Sequence, residues 1–174
     1  MRPGDVVFQE SPLLQHREIG WISNSRVNNC GIIIRDNNKF YVVEAANAVQ
    51  KIPFRQWLKR GRRKACIISR WRNLTTAGSL KIRQIALSYL GRVYDWNLEW
   101  DETKIYNAEL VRKVFESAEG TYLGDISVFD SRMLKPALRD SLQKYNPALL
   151  KPREIVTPQE ILQDVELEVV FNNF

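Results

Sequence analysis

The sequence is poor in the side chains that carry most nucleophilic and metal chemistry. Its 174 residues include only two cysteines, Cys30 and Cys66, and a single histidine, His16. A structural zinc site takes about four cysteine or histidine ligands, so this set does not predict one. A glycine-rich phosphate loop and a G-x-S-x-G nucleophile elbow are also missing. These absences predict a protein without a metal or another cofactor.

Long apolar stretches are missing as well. A membrane-spanning helix needs roughly 20 consecutive apolar residues, and no stretch of this chain approaches that length. The chain opens on a polar turn, residues 2–5, which is unlike a signal peptide. We therefore expect either a cytoplasmic protein or one that is exported after removal of a signal outside this chain.

The composition is that of one globular domain. Hydrophobic residues make up 44% of the chain and charged residues 26%, which is ordinary for a single core of this size. The net charge of +6 mildly favours anionic partners. Much of the excess lies in residues 59–64, and such a run is usually a solvated loop, so nucleic acid is not the favoured partner. Both cysteines lie in apolar runs, where a disulfide is possible but not implied.

The hydrophobic pattern predicts an α+β fold in which strands come first and helices follow. Residues 10–29 are polar and irregular, so His16 is expected to be a solvated loop histidine. The strands are predicted at residues 6–9, 31–34, 40–45 and 64–71, with a last edge strand at 166–171. The helices are predicted at residues 54–60, 80–90 and 110–118, with weaker ones near 132–144 and 157–163.

Five short segments in register resemble one family. They are residues 4–9 (GDVVFQ), 28–32 (NNCGI), 41–45 (YVVEA), 90–95 (LGRVYD) and 105–111 (IYNAELV). These segments resemble the YiiX/YebB-like branch of the NlpC/P60 superfamily of cysteine hydrolases. That branch has a permuted papain-like order, in which the histidine segment precedes the cysteine helix.

Two further segments support the resemblance, which covers nearly the whole chain. Residues 52–61 are similar to the family's helix with a T-P-L-x-x-W pattern, and residues 154–161 are similar to its late V-S-P segment. The resemblance implies a single permuted NlpC/P60-like domain over residues 1–174. It further implies a small antiparallel sheet packed against helices.

The family's catalytic residues do not carry over. By the resemblance, Asn29 stands at the histidine position, Asn107 at the cysteine position and Ala108 at the following serine. Glu44 matches the polar residue thought to orient the histidine. Residues that the resemblance places along the cleft are Cys30, Tyr94, Asp95, Tyr106 and Ala108.

These substitutions remove the chemistry of a cysteine hydrolase. The reaction needs a thiolate nucleophile and a general base, and an asparagine amide is neither. Asn107 instead suits the cap of the helix that follows, since asparagine is among the best residues there. The favoured interpretation is a catalytically inactive member that binds an acyl, peptide or lipid-like ligand, or a protein partner, through the degenerate cleft.

Two alternatives remain at the level of sequence. One is an active amide or ester hydrolase, or an acyltransferase, that acts on a peptidoglycan peptide or a lipid through non-standard residues such as Cys30 or His16. The other is a basic module that binds an anionic surface through residues 59–64.

Overall fold

A computed structural model describes all residues from 1 to 174, and it has six α-helices and ten strands. The strands are β1 (Val6–Gln9), β2 (Asn29–Asp36), β3 (Lys39–Ala45), β4 (Val49–Pro53), β5 (Ile67–Trp71), β6 (Val93–Tyr94), β7 (Lys104–Ile105), β8 (Ser127–Phe129), β9 (Arg153–Ile155) and β10 (Leu167–Asn172). The helices are α1 (Leu14–Ile22), α2 (Phe54–Arg60), α3 (Thr76–Ser88), α4 (Asn107–Glu119), α5 (Pro136–Tyr145) and α6 (Pro158–Leu162). The predicted α+β class is confirmed.

Six of the strands form one antiparallel sheet in the order β10-β5-β1-β2-β3-β4. The central strands carry continuous apolar runs because both faces of the sheet are covered. One face packs on a core of 32 buried residues that includes helix α4, and the other packs on a smaller cluster around Trp57 of α2. Cys30 lies in the larger core and Cys66 in the smaller one, so both are free thiols.

Most predicted elements are present, but the segment at residues 10–29 is not an irregular loop. Helix α1 occupies its centre, and His16 is fully buried within that helix. The prediction of a solvated histidine is therefore wrong. The edge strand β4 was not predicted either; its pattern of one buried and several half-buried residues is weak.

Helix α4 begins at Asn107, and Tyr106 precedes it in extended conformation as the capping position. Glu109 Oε2 accepts the Tyr106 backbone N–H at 3.2 Å. Asn107 is thus the first residue of the helix and not its cap, which corrects the sequence interpretation by one position. None of the helices is long and apolar enough to cross a lipid bilayer.

Candidate functional site

The sheet and helix α4 bring Asn29, Glu44 and Asn107 together. Asn29 opens β2, Glu44 lies near the end of β3, and Asn107 opens α4. Their side chains form a chain of hydrogen bonds. Asn107 Nδ2 donates to Asn29 Oδ1 at 3.3 Å, and Asn29 Nδ2 donates to Glu44 Oε2 at 3.1 Å. We call this group the asparagine node.

The direction of this chain follows from the carboxylate. Glu44 can only accept, so the amide nitrogen of Asn29 must face it, and the amide oxygen of Asn29 then faces Asn107. The other contacts of Asn107 fit the same orientation. Its Nδ2 also donates to the backbone oxygen of Asn28 at 3.0 Å, and its Oδ1 accepts the Ala108 N–H at 2.8 Å. Asn107 therefore satisfies one of the free N–H groups at the start of α4.

Glu44 is the acceptor for four side chains from three elements. Besides Asn29, the Trp57 indole donates at 2.9 Å and Gln50 Nε2 donates at 2.8 Å. The Arg60 guanidinium donates to Glu44 Oε1 and forms an ion pair with it. A buried carboxylate is tolerated only when such partners satisfy it. Arg60 thus has a structural role. The sequence had predicted that it belongs to a solvated basic run, and for this residue that prediction is wrong.

The asparagine node is closed to solvent. Asn29, Glu44 and Asn107 all have 0% of their surface exposed. The walls of the surface pockets of about 490, 480, 420, 400 and 190 Å³ include none of the three. The two amides that the resemblance places at the family's catalytic positions are consequently inside the protein and bonded to each other.

Gln9 lies beside the node and contributes to its closure. It is the register partner of Asn29 across β1 and β2, it is fully buried, and neither of its amide atoms has a hydrogen-bond partner. Gly61 packs directly on it, and a Cβ at residue 61 would collide with Gln9 Oε1. The Gln9 side chain thus occupies the space that a side chain at residue 61 would take.

His16 lies near the node in a neutral form. Its Nε2 is 3.3 Å from the backbone oxygen of Ala45, and its Nδ1 is 2.9 Å from Ser11 Oγ. A carbonyl only accepts, so Nε2 carries the proton and Nδ1 accepts from the Ser11 hydroxyl. Burial lowers the His16 pKa to about 4, against the opposing effect of the Glu44 charge. The imidazole is held between two hydrogen-bond partners.

Cys30 does not have the surroundings of a nucleophile. It follows Asn29 on β2, so its side chain points to the opposite face of the sheet and packs in the larger core. Burial, and secondarily the negative charge of Glu44, raise the pKa of the Cys30 thiol well above its usual value. A reactive cysteine has the reverse, a lowered pKa and access to solvent.

The remaining residues expected along a cleft are buried. Tyr94 packs with its ring centroid 6.2 Å from that of His16, and burial raises its pKa well above the usual value. Asp95 accepts backbone N–H groups of the loop that follows it. The Tyr106 hydroxyl accepts the Val156 N–H at 3.1 Å. These three residues are exposed by 2% or less, and Ala108 is fully buried, so none forms the wall of an open cleft.

Burial also perturbs a carboxylate in the first turn of α4. Glu109 is fully buried, and this raises its pKa to about 7 although Lys113 lies 2.9 Å away and opposes the shift. Glu109 thus changes its charge near neutral pH. No group of three or more His, Cys, Asp and Glu side chains is arranged to hold a metal ion.

The sheet, the helix that begins beside it and the convergence of Asn29, Glu44 and Asn107 define a papain-like hydrolase scaffold. The family model of the permuted papain-like amidase enzymes, the YaeF/YiiX or C92 family, matches residues 1–171. The chain belongs to this family.

Two relatives extend the comparison. The chain is 28% identical over 172 residues to the uncharacterized protein YiiX of Escherichia coli (strain K12), which covers 96% of this chain and 84% of that protein. It also matches the crystal structure of the metalloprotein yiiX from Escherichia coli O157:H7. That match has a TM-score of 0.88, 26% identity, and covers 99% of this chain and 98% of the other. The donor set of this chain does not fit a metal, because no suitable side-chain cluster exists.

Proposed function

We propose that this protein is a catalytically inactive member of the permuted papain-like amidase family, which acts by binding a ligand or a protein partner. The observation that carries the proposal is the asparagine node. The two amides at the catalytic positions donate and accept within 3.3 Å of each other and are fully buried. An amide neither titrates near neutral pH nor attacks a carbonyl, so this pair provides no nucleophile and no base.

Replacement of the lost groups by neighbouring residues is not supported. Cys30 is protonated in the core, and His16 is neutral with both ring nitrogens engaged. Catalysis would require both side chains to leave buried positions and to meet at a substrate. We therefore disfavour the active hydrolase or acyltransferase that the sequence left as an alternative.

The surface directly outside the node is where we place ligand or partner contact. Ser11 and Asn28 bond to each other through both amide atoms of Asn28, at 2.7 and 3.0 Å. With Arg17 and Arg62 they form part of the wall of a polar pocket of about 420 Å³. Asn28 in its wall precedes Asn29 in the chain, and the Asn28 backbone oxygen accepts Asn107 Nδ2, so a ligand there would lie beside the node.

The test is an assay of turnover with ester, thioester and amide probes, together with labelling by a thiol-reactive acyl probe. We expect no turnover above buffer and no labelling of the folded protein. The matched controls are Cys30→Ala and His16→Gln. Turnover by the wild-type chain that either variant abolishes would overturn the proposal.

A further inference from the structure

A second pocket lies at the opposite end of strand β2 from the asparagine node. Its volume is about 480 Å³, and its walls include Arg2, Arg35 and Arg83. Strand β2 runs from Asn29 to Asp36, and at about 3.3 Å per residue its two ends are roughly 23 Å apart. The proposed function does not involve this pocket, so a ligand bound here would not depend on whether the protein is catalytically inactive.

The pocket has more positive charge than its acidic side chains compensate. The Arg2 guanidinium has no acidic partner. Arg83 lies 3.5 Å from Asp36, whose other oxygen is 2.7 Å from Lys51. Asp36 is the only carboxylate in the wall and is already paired with Lys51, so Arg2 and Arg83 are incompletely compensated. The Arg35 guanidinium bonds to Asn38 Oδ1 at 3.1 Å and lies over the Phe40 ring, which packs on the other face of the sheet, so it is not counted among the groups that face the pocket.

Hydroxyl groups line the same pocket. Thr75, Thr76 and Ser79 lie at the start of α3, where the first turn has no acidic residue. Thr75 Oγ1 accepts the Gly78 N–H at 2.9 Å, which leaves its own proton available to a ligand. Thr76 is exposed. The pocket thus adds neutral donors to its guanidinium groups.

We propose that this pocket binds a phosphate group, carried either by a soluble phosphate ester or by a lipid headgroup. Guanidinium forks match the geometry of phosphate oxygens and bond to them with charge assistance. Arg2 and Arg83 supply that recognition, and the hydroxyls of Thr75 and Thr76 supply further donors. The volume is in the range of sites for small molecules.

The first test is a titration with inorganic phosphate and with pyrophosphate. Binding is monitored through the backbone amide signals of residues 35–38 and 75–79 in NMR spectra. We expect saturable shifts confined to these residues, weakened by added salt because the contact is electrostatic. Arg2→Gln and Arg83→Gln should each weaken binding about tenfold or more, since each removes one charge-assisted contact. Arg55→Gln, at an exposed arginine that lines neither pocket, should leave binding unchanged.

A second variant separates loss of binding from loss of fold. Thr76→Glu adds a negative charge inside the pocket at the first residue of α3, a position where an acidic side chain stabilises a helix. We expect Thr76→Glu to abolish phosphate binding while the melting temperature stays the same or rises. Binding that persists in this variant, or that Arg83→Gln leaves intact, would overturn the proposal.

A third measurement identifies the source of the phosphate. Sedimentation with vesicles of phosphatidylcholine containing phosphatidate, compared with phosphatidylcholine alone, tests the lipid headgroup. Binding to phosphatidate vesicles that Thr76→Glu abolishes assigns the pocket to a lipid surface. Shifts with pyrophosphate and no sedimentation assign it to a soluble phosphate ester. If neither probe binds, the proposal is wrong.

Discussion

The two ends of strand β2 differ in how their polar groups are paired. At the Asn29 end, Glu44 accepts from four side chains and the amides complete each other's bonds, with no surface left to solvent. At the Asp36 end, Asp36 is the only carboxylate in the wall of a pocket open to solvent, and it pairs with Lys51 and Arg83 while Arg2 has no acidic partner. Polar groups that satisfy one another stabilise a fold, whereas uncompensated charge remains available to a ligand. The Asn29 end therefore has the features of a structural network, and the Asp36 end has the features of a binding site.

The largest expected effect is at Glu44. Replacing Glu44 with Ala should lower the free energy of unfolding by about 3–5 kcal/mol, since it leaves Asn29 and Trp57 without their acceptor and Arg60 without its counter-charge. Urea denaturation followed by circular dichroism measures this. The control is Glu154→Ala, an exposed glutamate on β9, for which a change within about 0.5 kcal/mol is expected. A loss below about 1 kcal/mol at Glu44 would show that the node is not structural.

The next effect concerns the two asparagines. Asn29→Ala and Asn107→Ala should each cost about 1–3 kcal/mol, because each leaves buried partners unsatisfied. The double variant should cost less than the sum of the two, with a coupling energy of about 1 kcal/mol. The same denaturation experiment on all four proteins gives the coupling. Strict additivity would mean that the 3.3 Å contact between the two amides contributes nothing.

Two buried titratable groups near the node should have opposite effects on stability as pH changes. The folded-state pKa of Glu109 is raised from 4.5 to about 7, so the folded state binds the proton more tightly and stability falls as pH rises through that window. The folded-state pKa of His16 is lowered from 6.5 to about 4, so the unfolded state binds the proton more tightly and stability rises with pH there. Between pH 4.5 and 6.5 the two slopes oppose each other.

Single variants should therefore reveal slopes that the wild-type protein hides. Glu109→Gln retains an acceptor for the Tyr106 N–H and should show stability that increases by about 2 kcal/mol between pH 4.5 and 6.5. His16→Gln should show the reverse trend up to about pH 7. Denaturation at a series of pH values measures both. Slopes in the two variants that match the wild type would contradict the assignment.

The smallest effect is expected at the Asp36 end. Arg35→Gln should change the free energy of unfolding by no more than about 0.5 kcal/mol, because the side chain is exposed and bonded only to a neutral amide. The measurement is the urea denaturation used for the node variants. A loss above about 1.5 kcal/mol would place Arg35 among the structural residues and remove the contrast between the two ends.

The strands of the sheet could be predicted because their apolar runs are continuous and bounded by turn residues. Helix α1 could not be predicted in this way, because three of its four buried residues are polar, namely Gln15, His16 and Glu18. A helix with a polar inward face has no hydrophobic periodicity to detect. This is why the burial of His16 was missed.

The resemblance to the family identified the three residues of the node from sequence. The structure shows in addition that their side chains meet in space. The closure of the node was not predictable from sequence, since it depends on Gln50, Trp57 and Arg60, which arrive from β4 and α2. The position of Gln9 beside the node could have been predicted from the strand pairing. Gln9 ends the first strand of an antiparallel pair in which Asn29 begins the second, so the register alone places it beside Asn29.

The bond between Asn29 and Asn107 also constrains which substitutions the fold can accept. Each amide completes the bonding of the other, so histidine at position 29 alone, or cysteine at position 107 alone, would disrupt a buried contact. Under the proposed function, a variant with only one of the two catalytic side chains would lose stability before it gained activity. The two positions would therefore have to change together, which makes the pair a barrier to restoring a hydrolase on this scaffold.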